Sequence, residues 1–147
     1  MSGAGAKKRW LTDAVASREL NNVTILEQRP RSEQIVFLNA CDIGIISLIP
    51  GMWGTAMPSR TYNILAAGKP ILALTDEGSE LARVIDEENV GWHILPDNSD
   101  DLVRTIQEIF NRKADLLAMG VRARQAAVTK YSLGTAIDRY REELKPA

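Results

Sequence analysis

Apolar and polar positions fall into two patterns along the chain, and the pattern changes near Pro96. Before it, short β-branched runs alternate with stretches of helical spacing. Val23–Glu27, Ile43–Leu48, Ile71–Leu74 and Gly91–Leu95 are each bounded by Asn, Asp, Gly or Pro, which predicts strands. Between them, Ser32–Cys41, Ser59–Ala67 and Ser79–Glu87 repeat apolar residues at helical intervals, for example Leu81, Val84 and Ile85, and predict helices. Strand and helix in alternation, with short connections, specify right-handed βαβ crossovers and a parallel sheet. The Ile43-Gly44-Ile45-Ile46 run is apolar at almost every position, as expected of a strand covered on both faces. After Pro96 only helices are predicted: Ser99–Asn111, Lys113–Lys130 and Leu133–Leu144, the first entered through a cap-rich stretch from Asp97 to Asp100. A helix bearing Trp10, Leu11 and Val15 precedes the first strand. No internal repeat, low-complexity segment or linker interrupts the chain. The expected fold class is therefore α/β, a Rossmann-like parallel sheet with flanking helices followed by C-terminal helices.

Composition narrows the classes of function. The chain has 147 residues, 45% hydrophobic and 25% charged, which is the profile of one ordinary globular domain, residues 1–147, with a helical C-terminal part from about residue 97. Eighteen Lys and Arg against nineteen Asp and Glu give a net charge of -1, so nucleic acid is not the expected partner. Cys41 is the single cysteine, which excludes an intrachain disulfide and disfavours a cysteine-based metal site. A reducing cytoplasm fits that usage, and no apolar run approaches the ~20 residues that a membrane helix needs.

The most informative stretch runs from Ile49 to Asn63. It follows the most apolar strand and leads into a helix, the place where open parallel sheets bind ligands. Gly51 and Gly54 allow close backbone approach to a ligand, and Pro58 suits the first turn of a helix. The N–H groups of Ser59, Arg60 and Thr61 then point out of the helix start without intrahelical partners, a natural cradle for phosphate. Arg60 adds a fixed charge and Ser59 and Thr61 add hydroxyls, so a diphosphate can be held without metal. The competing reading is that Ser59 and Thr61 cap the helix and Arg60 is solvated.

These residues carry a resemblance. Pro58-Ser59-Arg60-Thr61-Tyr62-Asn63-Ile64-Leu65-Ala66-Ala67-Gly68-Lys69-Pro70-Ile71 resembles the donor-site helix of the retaining two-lobed (GT-B) glycosyltransferases of group 1, family 4. The likeness extends through Gly78-Ser79-Glu80-Leu81 and Gly91-Trp92, and back to Asn22–Leu26 and Ala40–Gly44. In that family Ala66, Gly68 and Pro70 match a regular turn in which Gly68 is a left-handed helix cap and Pro70 blocks continuation. The family places two glutamates in this region. Aligning on Ala66 and Gly68 puts Thr55 and Asn63, with seven residues between them, at those positions. Neither is acidic, so Asn63 is left as a hydrogen-bonding partner for ribose and Thr55 cannot serve as acid or base. The Pro-Ser-Arg entry is similar to that of amino-sugar transferases of cell-surface polysaccharide synthesis.

The resemblance implies the donor-binding lobe of a hexosyltransferase-type enzyme that uses a nucleotide-sugar, with UDP-sugar the expected donor and no metal or other cofactor. Gly54, Thr55, Ser59, Arg60 and Thr61 would hold the diphosphate, Asn63 the ribose, and the Gln28-Arg29-Pro30 loop the base, while Arg31-Ser32-Glu33 is equally readable as a helix cap. Gly3-Ala4-Gly5-Ala6-Lys7 resembles the turn after the second strand of this lobe, which implies a partial lobe without its acceptor-binding partner lobe and without activity alone. Implied partners are the nucleotide-sugar, the acceptor lobe, a second copy through an exposed sheet edge, and a membrane surface for the full enzyme; the implied location is cytoplasmic. Lys7, Lys8 and Arg9 are read as a solvated face, His93 as structural and Cys41 as a small core residue. Two other classes stay open at this point: a sugar-nucleotide epimerase of the same fold, and a non-catalytic flavodoxin- or receiver-like binding module.

Overall fold

The computed structural model describes residues 5–51, 54 and 57–144, and these form two compact units, Met1–Phe37 and Leu38–Ala147. The first contains helix α1 (Lys8–Ser17) and a short 3-10 turn (Arg31–Glu33), with helix α2 (Gln34–Asn39) running across the boundary. None of these three elements buries a residue. An ion pair between Lys8 and Glu27 at 2.6 Å ties α1 to the segment that follows it. Val23–Glu27, expected as a strand, contains a single bridged residue, Leu26, and no ladder. Among the described residues of this unit there is no second strand for it to pair with, and β propensity is expressed only against such a neighbour.

The second unit is built on strands β1 (Gly44–Ser47), β2 (Ile71–Leu74) and β3 (Gly91–Ile94), parallel and in the order β1-β2-β3. The register pairs Ile46 with Ala73 and Ala73 with His93. Helices α3 (Ser59–Ala66) and α4 (Glu80–Glu88) are the crossovers, and α5 (Ser99–Asn111), α6 (Lys113–Thr129) and α7 (Leu133–Glu143) complete it. The alternation of strand and helix thus produces the expected parallel α/β architecture. Central strand β2 is the one covered on both faces: Ile71, Leu72 and Ala73 are all fully buried. In β1, Ile46 is buried but Ile45 is 54% exposed, which differs from the expectation for the Ile43–Ile46 run. The reason is position, since β1 lies at the edge of the three-stranded sheet.

The core joins Ile46, Ile64, Leu65, Ile71, Leu81, Ile85 and Val90 to Ala123 and Ala127 of α6. Small residues on α6 let it lie close to α3. The buried Gly120 faces Gly68, whose carbonyl oxygen a Cβ on Gly120 would strike. Gly68 itself has φ +66°, and its N–H donates to Leu65 O while that of Lys69 donates to Ile64 O, closing α3 with a left-handed cap as its Ala-x-Gly-x-Pro context predicts. Arg124 of α6 donates to Ala66 O at 2.6 Å, placing a cation on the last carbonyls of α3.

A second tie holds the other end of α6. Glu88, its side chain 10% exposed, accepts from Lys130 Nζ at 2.6 Å and from the Tyr131 hydroxyl at 3.3 Å, and the Tyr131 ring packs on Tyr62 with centroids 5.7 Å apart. Burial, reinforced by the Glu88 charge, pushes the Tyr131 hydroxyl up to about 12. A tyrosine with a raised folded value holds its proton where the unfolded chain has lost it, so stability falls as pH rises from about 10 to about 12. Denaturant melts of the wild type and Tyr131→Phe across that range should converge as pH rises; parallel curves would show that Tyr131 titrates as it does when unfolded.

Candidate functional site

The loop after β1 is held to the sheet at two points. Leu48 N donates to Leu74 O at 2.9 Å, extending the β1–β2 ladder, and Gly51 N donates to Asp76 Oδ2 at 2.7 Å. Asp76 follows β2, so the loop is fastened across the carboxyl ends of two parallel strands. Gly51 and Gly54 adopt φ +81° and +76°, conformations that favour glycine. Thr55, expected at the diphosphate, lies outside the described residues, as do Met52, Trp53 and Ala56.

Helix α3 begins at Ser59, with Pro58 extended (φ -61°, ψ 125°) as the residue before it and no side chain capping the start. Pro58 is therefore the cap position rather than part of the first turn, and Ser59 and Thr61 do not cap the helix as the competing reading held. Ser59, Arg60 and Asn63 are exposed, and among the described residues their side chains make no hydrogen bond or ion pair. Arg83 and Arg112, by contrast, are each engaged by two carboxylates. The start of α3 is thus an open helix end with orphan N–H donors and an uncommitted guanidinium, which can receive an anion.

Thr61 differs from its expected role. It is fully buried, its N–H donates to Pro58 O at 2.9 Å, and its hydroxyl has no partner among the described residues. Helical geometry turns this third position inward, where it packs beneath the helix start and leaves Ser59 and Arg60 as the outward groups. Gln28, Arg29 and Pro30 are exposed in the first unit, and Arg29 pairs with Glu33 at 3.2 Å across the 3-10 turn.

Neighbouring features are structural. Ser79 caps α4 by accepting from Ala82 N, and Thr75 donates to its hydroxyl at 2.9 Å, both side chains being buried. Glu80 meets Arg83 at 3.3 Å. His93 on β3 contacts Asp86 of α4 at 3.2 Å, and Cys41 is half-buried. Among the described residues no group of three or more His, Cys, Asp or Glu side chains could hold a metal ion, and no helix is long and apolar enough to cross a membrane. The Gly51–Asp76 tie was not foreseen from the sequence; an Asp just after a predicted strand, opposite a glycine loop, is the signal that could have found it.

The site thus lies at a helix start beyond the carboxyl ends of a parallel sheet, and comparison with known proteins identifies the family. Residues 1–126 match the family described as Glycosyl transferases group 1, and the chain belongs to that family. It is 35% identical over 117 residues to a probable glycosyltransferase, WbjE, of Pseudomonas aeruginosa, covering 80% of this chain and 29% of that protein. The fold is shared with sucrose-phosphate synthase from Thermosynechococcus elongatus (TM-score 0.75, 19% identity, 95% of this chain and 35% of that one). It is shared too with WaaG, a glycosyltransferase involved in lipopolysaccharide biosynthesis (TM-score 0.69, 16% identity, 99% and 37%). A glycosyltransferase from Rickettsia africae superposes with TM-score 0.69 at 20% identity, over 100% of this chain and 40% of that one. The fold is that of the C-terminal lobe of a GT-B glycosyltransferase, and the chain spans well under half the length of these relatives.

Proposed function

We propose that this chain binds the nucleotide-sugar donor, a UDP-sugar, of a hexosyltransferase that retains anomeric configuration in cell-surface polysaccharide synthesis. The observation that carries the reading is the start of α3: an uncapped helix end, beyond the carboxyl ends of parallel strands, bearing exposed and unpaired Ser59 and Arg60. Helix N–H groups and the Arg60 guanidinium stabilise the diphosphate as it departs, with no need for a metal. Asn63, one turn further and exposed, takes a ribose hydroxyl. The acceptor is held by a second lobe. Without that lobe the chain loses the proximity that supplies roughly 7–11 kcal/mol of barrier reduction and transfers no sugar.

Isothermal titration with UDP tests the reading. The wild-type chain should bind, and Arg60→Ala should weaken binding by about tenfold to a hundredfold, the worth of a hydrogen bond to a charged group. A well-folded chain that takes up no UDP would sink the donor-site assignment, and sugar turnover by the chain alone would overturn its dependence on a second lobe.

A further inference from the structure

The turn that follows β2 is a rigid mount for one carboxylate. Thr75 is buried; its N–H donates to Ile94 O at 2.9 Å and its hydroxyl to Ser79 Oγ at 2.9 Å, while Ser79 N donates to Asp76 O at 3.3 Å. Gly78, at φ +76°, lets the chain turn between Asp76 and Ser79. Asp76 therefore stands on backbone fixed both to β3 and to the cap of α4. Its carboxylate has no cationic partner among the described residues and is directed at a backbone donor, Gly51 N–H, at 2.7 Å.

The chain on the other side of that bond is not fixed in the same way. Leu48 and Met57 pack against the core, and between them the Gly51–Asp76 bond is the only hydrogen bond made among the described residues. A Cβ placed on Gly51 or Gly54 would meet nothing within 4 Å, so no packing holds these positions in their left-handed conformations. Glycine also loses more conformational freedom on ordering than any other residue. Ordering Gly51 only when a ligand arrives would cost affinity, and a bond that orders it beforehand removes that cost.

We propose that Asp76 is a positioning residue of the donor site, which by accepting from Gly51 N–H sets the course of the chain leaving β1 before the nucleotide binds. The proposal rests on the donor-site reading of α3. Titration of the 147-residue chain with UDP, together with the exchange rate of the Gly51 amide proton followed by NMR, tests it. Asp76→Ala should speed Gly51 exchange and weaken UDP binding about tenfold, the worth of one hydrogen bond. Asp76→Asn keeps an acceptor oxygen at the same reach and should restore both. If Asp76→Ala fails to fold, Asp76→Ser, whose hydroxyl falls short of Gly51, takes its place.

Three results overturn the proposal alone. One is equal weakening in Asp76→Ala and Asp76→Asn. Another is tighter binding in both, as removal of a charge that repels the diphosphate would produce. The third is undiminished affinity in Asp76→Ala beside a fast-exchanging Gly51 amide. A wild-type chain with a protected Gly51 amide and no affinity for UDP would instead fail the donor-site reading, and the proposal with it.

Discussion

Gly120→Ala is expected to lower the melting temperature by roughly 4–8 °C. In isolation the substitution should help, because alanine is favoured over glycine inside a helix by about 1 kcal/mol. Gly120, however, sits where α6 crosses the end of α3, and an added methyl runs into the carbonyl oxygen of Gly68. That oxygen belongs to a backbone held by the left-handed cap and its two hydrogen bonds, so it cannot step aside. Overpacking of this kind costs about 3 kcal/mol at the upper end, which leaves a net loss of about 2 kcal/mol after the propensity gain. For a chain of this size each kcal/mol moves the transition by roughly 2–4 °C. Thermal melts followed by circular dichroism decide the sign. A melting temperature equal to or above the wild type would mean that the two backbones do not touch there.

Leu65→Ala should have a comparable or larger effect, by about 3–4 kcal/mol, through a different mechanism. Leu65 is fully buried and is one of the two α3 residues, with Ile64, that anchor the helix in the core. Truncation removes the transfer energy of its methyl groups and leaves a cavity that the strands and α6 cannot collapse to fill. The contrast with Arg60→Ala separates fold from site. Arg60→Ala should lose UDP affinity at an unchanged melting temperature, since its side chain has no partner among the described residues. Leu65→Ala should lose stability while the chain that remains folded keeps most of its affinity. Equal stability losses in the two variants would show that Arg60 is part of the packing.

Helix limits were the most legible part of the fold. Ser99–Asn111 is observed at its expected bounds, because Asn98 accepts from Asp101 N and two acids follow in the first turn, signals that are local and chemical. The left-handed cap at Gly68 was legible for the same reason. Val23–Glu27 was not, since a strand exists only through a neighbour. In the candidate site, the turn from β1 into α3 and the outward Ser59 and Arg60 could be read from order along the chain. The burial of Thr61 and the Gly51–Asp76 tie could not, because both depend on what lies across the sheet.

The sequence by itself determined the alternation that makes a parallel α/β sheet, the helix start at Ser59, and the family. Those properties rest on near neighbours in the chain. Tertiary structure decided which strand became central, with β2 buried on both faces and Ile45 of β1 left half exposed. It also decided how α6 is oriented. Periodicity marks an apolar stripe but not the side that meets the core, and here close approach to α3 at Gly68 selected the side bearing Gly120, Ala123 and Ala127. The larger Leu117 and Val121 were thereby turned outward, which no count of hydrophobic positions along the helix could have foretold.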